Sequence, residues 1–145
     1  HSPEYLRDVI LPEVEKASLQ TGIDRKAISI AVTAFVICNP EQREFVRQQI
    51  SFYASTPSYR PVMAQHGWEE AAQELSVAAA RGKWAKMPSI VTDEMLEVFA
   101  TIAEVEDLAA ALKTRYAGIA DRLSLYTPFS PAEGIEFWEK IVEAW

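Results

Sequence analysis

The sequence predicts a helix-rich α/β fold with two or three strands, and three features carry that prediction. An unbroken apolar, partly β-branched run from Ser29 to Cys38 leads straight into a helix start. A short alternating run, Arg122 to Tyr126, lies towards the other end of the chain. Elsewhere apolar residues recur at helical spacing, punctuated by glycine and proline.

Ser2 and Pro3 read as an N-cap and a first helical position, where a missing N–H costs nothing. The first helix is expected to run to about Gln20 and stop at Gly22, with a kink or break at Pro12. Asp24 to Ile28 is a turn or helical link. The run Ser29–Cys38 lacks alternation, which predicts a central parallel strand with both faces buried. Asn39, Pro40 and Gln42 then form a capping box opening a helix from Pro40 to about Ala54. Its apolar stripe is Val46, Ile50 and Tyr53. Strand, tight turn and helix make the first half of an α/β unit.

Pro57 and Pro61 interrupt the chain. Tyr59 to Gln65 forms another turn or two of helix ending at Gly67, and Trp68 to Arg81 is helical and closed by Gly82. Lys83 to Val91 is short and helical, with Pro88 ending it. Thr92 caps a helix from Asp93 to about Val98, and Phe99 to Ala103 reads either as its tail or as a short extended segment. Glu104 to Ala117 is a helix with Val105, Leu108, Leu112 and Tyr116 on one face, acids in its first turn and Lys113 and Arg115 in its last. Ser130 to Glu133 is a second capping box, and Pro131 to Trp145 forms a final helix whose face is Ile135, Trp138, Val142 and Trp145. Residues 39–121 between the two clear strands far exceed the dozen or so that a plain parallel crossover needs. The stretch of about 55–98 therefore reads as a helical insertion within a single domain, 1–145.

Composition narrows the function. With 49% apolar and 24% charged residues the chain is a folded domain and not a disordered tail. A net charge of −7 argues against nucleic acid and anionic membrane as partners. No apolar run approaches the ~20 residues of a membrane span. Cys38 is the single cysteine, which excludes an intrachain disulfide and favours a cytoplasmic setting. The chain opens at His1 without an initiator Met, so either a tag scar precedes Pro3 or this is a piece of a longer protein; the second is the expectation.

The five glycines form no phosphate loop, no metal-ligand spacing exists and no Gly-x-Ser-x-Gly elbow occurs, so no catalytic residue can be named. Carboxylate pairs such as Asp93-Glu94 sit in helix first turns, where the dipole alone accounts for them. The segment from Phe52 to Pro61 concentrates aromatics, hydroxyls and an arginine around a helix break. One reading makes it the wall of a ligand cleft, Tyr53 and Tyr59 offering flat surfaces and hydroxyls and Arg60 clamping an anion. In the other, the tyrosines pack helix on helix and Arg60 pairs with a surface acid. His66 is a site residue or a helix C-cap beside Gly67. Trp68 and Trp84 are cofactor stackers or anchors of a core or interface, and Cys38 is an inert small hydrophobe.

Phe52-Tyr53-Ala54-Ser55-Thr56-Pro57-Ser58-Tyr59-Arg60-Pro61-Val62, His66-Gly67-Trp68, Gly82-Lys83-Trp84-Ala85-Lys86-Met87, Asp93-Glu94, Arg115-Tyr116 and Asp121 to Tyr126 occur in that order. Together with Pro3 to Arg7 and Val9 to Pro12, they resemble the C-terminal region of an actinobacterial branch of the luciferase-like monooxygenase family, over His1 to about Pro128. The resemblance implies the C-terminal part of a TIM-type (β/α)8 barrel, with Ile30–Ile37 a late strand and Arg122–Tyr126 the last. It also implies a deazaflavin coenzyme or FMN as cofactor in the full-length family, with hydride transfer or oxygen activation as the chemistry. Tyr53, Ser55, Tyr59, Arg60, His66 and Trp68 become the candidate cofactor- or substrate-binding residues. Two departures accompany it. A complete barrel needs at least about 200 residues and this chain has 145, and Ala103-Glu104 stands where the family usually has a glycine. The expectation is a portion that is catalytically incomplete alone, the cofactor being expected of the full-length family and not required of this chain, with its strands covered by a second copy in a homodimer, by a missing N-terminal barrel half, or by its own rearranged helices. The alternative is a non-enzymatic helical module that self-associates through exposed apolar surface.

Overall fold

A computed structural model describes residues 1–128 and 134–145. Among them three strands form one parallel sheet in the order β2-β1-β3, with β1 Ala31–Ile37, β2 Ala100–Ile102 and β3 Arg122–Tyr126. The central strand serves its two neighbours with different halves. β2 pairs with Phe35 to Ile37, whereas β3 pairs with Ala31 to Phe35. Phe35 alone is paired on both sides, opposite Ala100 and Tyr126.

The helices are α1 Pro3–Tyr5, α2 Leu11–Thr21, α3 Pro40–Ala54, α4 Arg60–Gln65, α5 Glu69–Ala80, α6 Asp93–Phe99, α7 Val105–Tyr116 and α8 Ile135–Ala144. Local chemistry sets several boundaries. Asn39 Oδ1 accepts the Gln42 N–H at 2.8 Å, and Gln42 Oε1 accepts the Cys38 N–H at 2.7 Å, so the box reaches one residue further back than expected. Thr92 caps α6 by accepting the Met95 N–H. Gly22 ends α2 at φ 72°, a conformation that costs a residue with a Cβ. The predicted disturbance near Pro12 is a π-helical turn, Leu6–Ile10, which absorbs the proline without breaking the helix. The ambiguous segment after α6 is a strand, β2. Pro88 does not end its element but lies inside a 3-10 helix, Trp84–Ile90, where tight turns tolerate it.

Going from β1 to β2 and then back across β1 to β3 reverses the direction of travel along the sheet. Right-handed crossovers then place the intervening helices on opposite faces. The packing agrees. Phe35 and Ile37 face a cluster built by Val46 and Ile50 of α3, Met63 of α4, Leu75 of α5 and Leu96 of α6. Val32, Ala34 and Val36 face Leu108, Leu112 and Tyr116 of α7, Ile141 of α8 and Leu6. The helical stretch after α3 thus forms the layer on one face, and α7 and α8 form most of the layer on the other.

Two expectations are corrected. The central strand is not buried on both faces along its length. Ala31 and Thr33 are exposed, and their neighbours Arg122 and Ser124 on β3 are exposed as well, so one face of the sheet is open over its N-terminal half. Among the described residues, the first four of β1 also have no strand neighbour on the β2 side. The chain's own helices cover the rest of the strand. On α8 the core takes Phe137 and Ile141, not the predicted stripe, and Ile135, Val142 and Trp145 are 64%, 71% and 56% exposed. The capping box at Ser130 to Glu133 falls outside the described residues. No helix of the described residues is long and apolar enough to cross a membrane.

Leu112 is fully buried between α7 and the sheet. Leu112→Ala is expected to lower the unfolding free energy by about 2–5 kcal/mol. Leu19→Ala, at an 80% exposed position, should stay within about 0.5 kcal/mol. Urea denaturation measures both.

Candidate functional site

A cleft of about 380 Å³ lies between the open face of the sheet and the layer of α3 and α4. The sheet supplies its floor. Strand alternation puts Ala31, Thr33 and Phe35 on the same face, and parallel pairing sets Tyr126 beside Phe35. Ile50, Tyr53 and Ala54 from the last turns of α3 form one wall. The chain then breaks at Pro57, and the short 3-10 turn Pro57–Tyr59 with α4 brings in Tyr59, Val62 and Met63. Phe99, Leu6 and His1 close the end.

The lining is predominantly apolar and aromatic. Phe35 meets Tyr126 edge-on at 5.2 Å and Tyr53 at 6.4 Å between ring centroids. Tyr53 lies 5.3 Å from Tyr59. The hydroxyls are chained: Tyr53 donates to Tyr126 at 3.4 Å, and Tyr126 donates to Gln49 Oε1 at 3.3 Å. Donation to Tyr126, with desolvation and the neighbouring phenols adding to it, pushes the Tyr53 hydroxyl above the ordinary tyrosine range. At neutral pH Tyr53 is therefore a hydrogen-bond donor and not a base. On the open part of the floor, the Thr33 and Ser124 hydroxyls sit 2.9 Å apart.

The structure brings some of the sequence candidates together and separates others. Tyr53 and Tyr59 line the cleft. Ser55 is buried behind it; its hydroxyl donates to the Phe52 carbonyl, and its own carbonyl accepts from Ser76, which fastens the end of α3 to α5. Arg60 opens α4 on the surface and makes no ion pair among the described residues. His66 is the C-cap of α4, with Nε2 2.8 Å from Ser2 Oγ and its ring stacked on Trp68 at 5.0 Å. Phe99 touches both of those rings, at 5.9 and 5.5 Å, and also lines the cleft, so His66 and Trp68 support the site from behind. Trp84 is 53% exposed and belongs to no core.

Sequence reasoning missed Phe35, Thr33 and Tyr126. Their alternate positions along two strands were visible, but which parity faces the helices depends on packing. Cys38, just past the end of β1, has its thiol pushed up to about 11, first by burial and then by Glu104 and Glu106, so it is protonated and unreactive at neutral pH. No group of three His, Cys, Asp or Glu side chains among the described residues is placed to hold a metal ion.

A parallel α/β sheet with an aromatic cleft on one face is a scaffold suited to a flat ligand. The profile of the luciferase-like monooxygenase family matches residues 1–122. The chain is also 35% identical over 128 residues to uncharacterized proteins of Mycobacterium bovis and Mycobacterium tuberculosis, a match covering 84% of this chain and 38% of each relative. This chain belongs to the luciferase-like monooxygenase family, and the match spans well under half the length of those relatives.

Because the Tyr53 hydroxyl titrates above its ordinary value of 10.0, its contribution to stability is complete below that pH. That contribution is lost as pH rises from there through the folded-state value. Tyr126→Phe removes the acceptor and is expected to bring the Tyr53 titration back towards the ordinary range. Ultraviolet phenolate absorbance, with Tyr53→Phe to assign the transition, reads this out; an unchanged midpoint contradicts the hydroxyl chain.

Proposed function

We propose that this chain is the C-terminal portion of a flavin- or deazaflavin-dependent oxidoreductase and that its cleft forms one wall of the cofactor site. The observation that carries the reading is the lining itself. Phe35, Tyr53, Tyr59 and Tyr126 offer ring faces and edges around a space of about 380 Å³. A flat tricyclic ring gains dispersion and edge contacts against such side chains. The fit is partial. His1 is the only lining residue able to carry a positive charge, so a cofactor's phosphates must be held elsewhere. Phe35 and Tyr126 would pack against the ring, and Tyr53 would present a donor to a carbonyl or ring nitrogen. The cofactor, when bound, supplies hydride transfer or oxygen activation. The protein's part here is to exclude water and to hold the ring by contact and by one neutral hydroxyl.

In this reading β1 and β3 correspond to the late and last strands of a (β/α)8 barrel and residues of about 55–98 to a helical insertion between them. The order β2-β1-β3 with helices on both faces departs from the sequential order and single helical layer of such a barrel, so β2 would have to pair between β1 and β3 in the whole protein. The open floor at Ala31 and Thr33 and the unpaired start of β1 mark where further strands would join. Which of FMN and the deazaflavin is used, and which residues catalyse, would be set by the part of the relatives that lies outside the match. The isolated chain is accordingly incomplete as a catalyst. A second reading, a self-associating helical module, is favoured by one observation: the exposed apolar side chains of Ile135, Val142 and Trp145 on α8.

Titrating the chain with oxidised and reduced FMN and with the deazaflavin, followed by cofactor fluorescence or absorbance, tests the first reading. Weak binding without turnover is expected. Tyr126→Leu should weaken it roughly tenfold, the equivalent of about 1.4 kcal/mol. Tight stoichiometric binding with turnover would refute the incompleteness, and binding indifferent to Tyr126→Leu would refute the cleft.

A further inference from the structure

The final helix carries two outward stripes side by side. Ile135 and Val142, seven residues apart, lie along one line of the helix, turned away from core-facing Phe137 and Ile141, while Trp145, the C-cap, stays partly exposed nearer the α7 side, where Lys113 Nζ lies 5.3 Å from its ring centroid. Next to that line run Glu139 and Glu143, both exposed and without an ion pair among the described residues. Lys140 leaves the other side of the helix and pairs with Glu106 of α7 at 2.7 Å, while Lys113 donates to the Trp145 carbonyl at 2.7 Å. α8 is therefore pinned to α7 at two points and presents its apolar and acidic stripes in a fixed orientation. The helix lies beyond residues 1–122, the part matched by the family profile.

Elsewhere the same chain exposes the complement. Phe52 at the end of α3 is 49% exposed and lies 6.4 Å from the ring of the still more exposed Trp84. Lys83 and Lys86 flank that tryptophan on the 3-10 helix, Arg81 precedes them, and all three cations are exposed with no ion pair among the described residues. On a chain of net charge −7 this is a local basic surface around two aromatic rings.

We propose that the α8 stripe docks on the Phe52–Trp84 surface of a second copy, with Glu139 and Glu143 meeting Lys83 and Lys86, and that the contact is made reciprocally in a twofold pair. The assignment rests on the self-association reading above and names its surface. Apolar stripe meets aromatic pair, and acidic row meets basic row, so one chain contains both halves of the match. Burying Ile135 and Val142 against Phe52 and Trp84 supplies contact area, and the charges set the register. Reciprocity closes the assembly at two copies, where a one-way contact would grow into an open chain.

Charge reversal with mixing tests this. Lys83→Glu/Lys86→Glu gives a chain whose two surfaces are both acidic, and Glu139→Lys/Glu143→Lys gives one whose two surfaces are both basic. All four positions are exposed, so folding is not at stake. Light scattering on the unchanged protein is expected to give twice the chain mass. Each variant alone should associate at least about tenfold more weakly, and an equimolar mixture should restore the pair. The restored complex must contain one of each variant, which native mass spectrometry reads directly. A pair that survives both reversals, or a mixture that stays apart, overturns this surface while leaving self-association standing. An unchanged protein that remains at single mass at high concentration overturns both, and leaves α8 to another occupant such as the remaining part of a full-length relative.

Discussion

Everything in this fold depends on β1 being shared. One seven-residue strand provides hydrogen-bonding partners for two parallel neighbours, one along its first five residues and the other along its last three. It also separates two helical layers. Its even-numbered residues Val32, Ala34 and Val36 are buried against α7 and its neighbours, and Phe35 and Ile37 against the α3 to α6 layer. Parallel strands need covered faces because βαβ crossovers put helices there, and this strand obtains cover from both sides of the chain. Where the second layer ends, at Ala31 and Thr33, the sheet face stays open.

The cleft is a consequence of that uneven cover. α3 runs back along the strand and ends at Ala54, and the prolines at 57 and 61 turn the chain into α4 instead of extending the layer. Tyr53, Tyr59 and Met63 therefore stand at the margin of the layer, over a floor of small and hydroxyl-bearing residues that leads to Phe35 and Tyr126. Aromatic contacts and a hydroxyl chain hold these rings in place without a charged group, so the site is shaped for a flat, mostly neutral surface. His66, Trp68 and Ser55 lie behind the lining and secure the elements that carry it.

Much of this was legible in the residues, for identifiable reasons. The span of α3 followed from Asn39, Pro40 and Gln42 at one end and the Ser55–Pro57 break at the other, and β3 followed from five alternating residues. These signals are local, and nothing distant competes with them. The parity of β1 was only faintly marked, because Ala31 to Ile37 is apolar apart from Thr33, the single polar residue that lies on its open side. The face of α8 was misread for a related reason. Ile135, Phe137, Trp138, Ile141, Val142 and Trp145 form one broad apolar face, and only the position of α7 decides which edge of it turns inward. The tyrosine-rich break at 53–59 flagged one wall of the cleft, whereas Phe35 and Tyr126 required the register of strands some ninety positions apart, as in the Thr33–Ser124 contact with its separation of 91. Arg60 is not among the cleft-lining residues and makes no ion pair among the described residues.

The chain belongs to the luciferase-like monooxygenase family, and its match covers 38% of the relatives' length. The fold turns on which strand lies next to which. Interstrand nuclear Overhauser contacts measure that directly. The arrangement described here predicts cross-peaks from Phe35 to both Ala100 and Tyr126, and from Ala31 and Thr33 to Arg122 and Ser124. Contacts of Arg122–Tyr126 with Ala100–Ile102, and none with Ala31–Phe35, would contradict it.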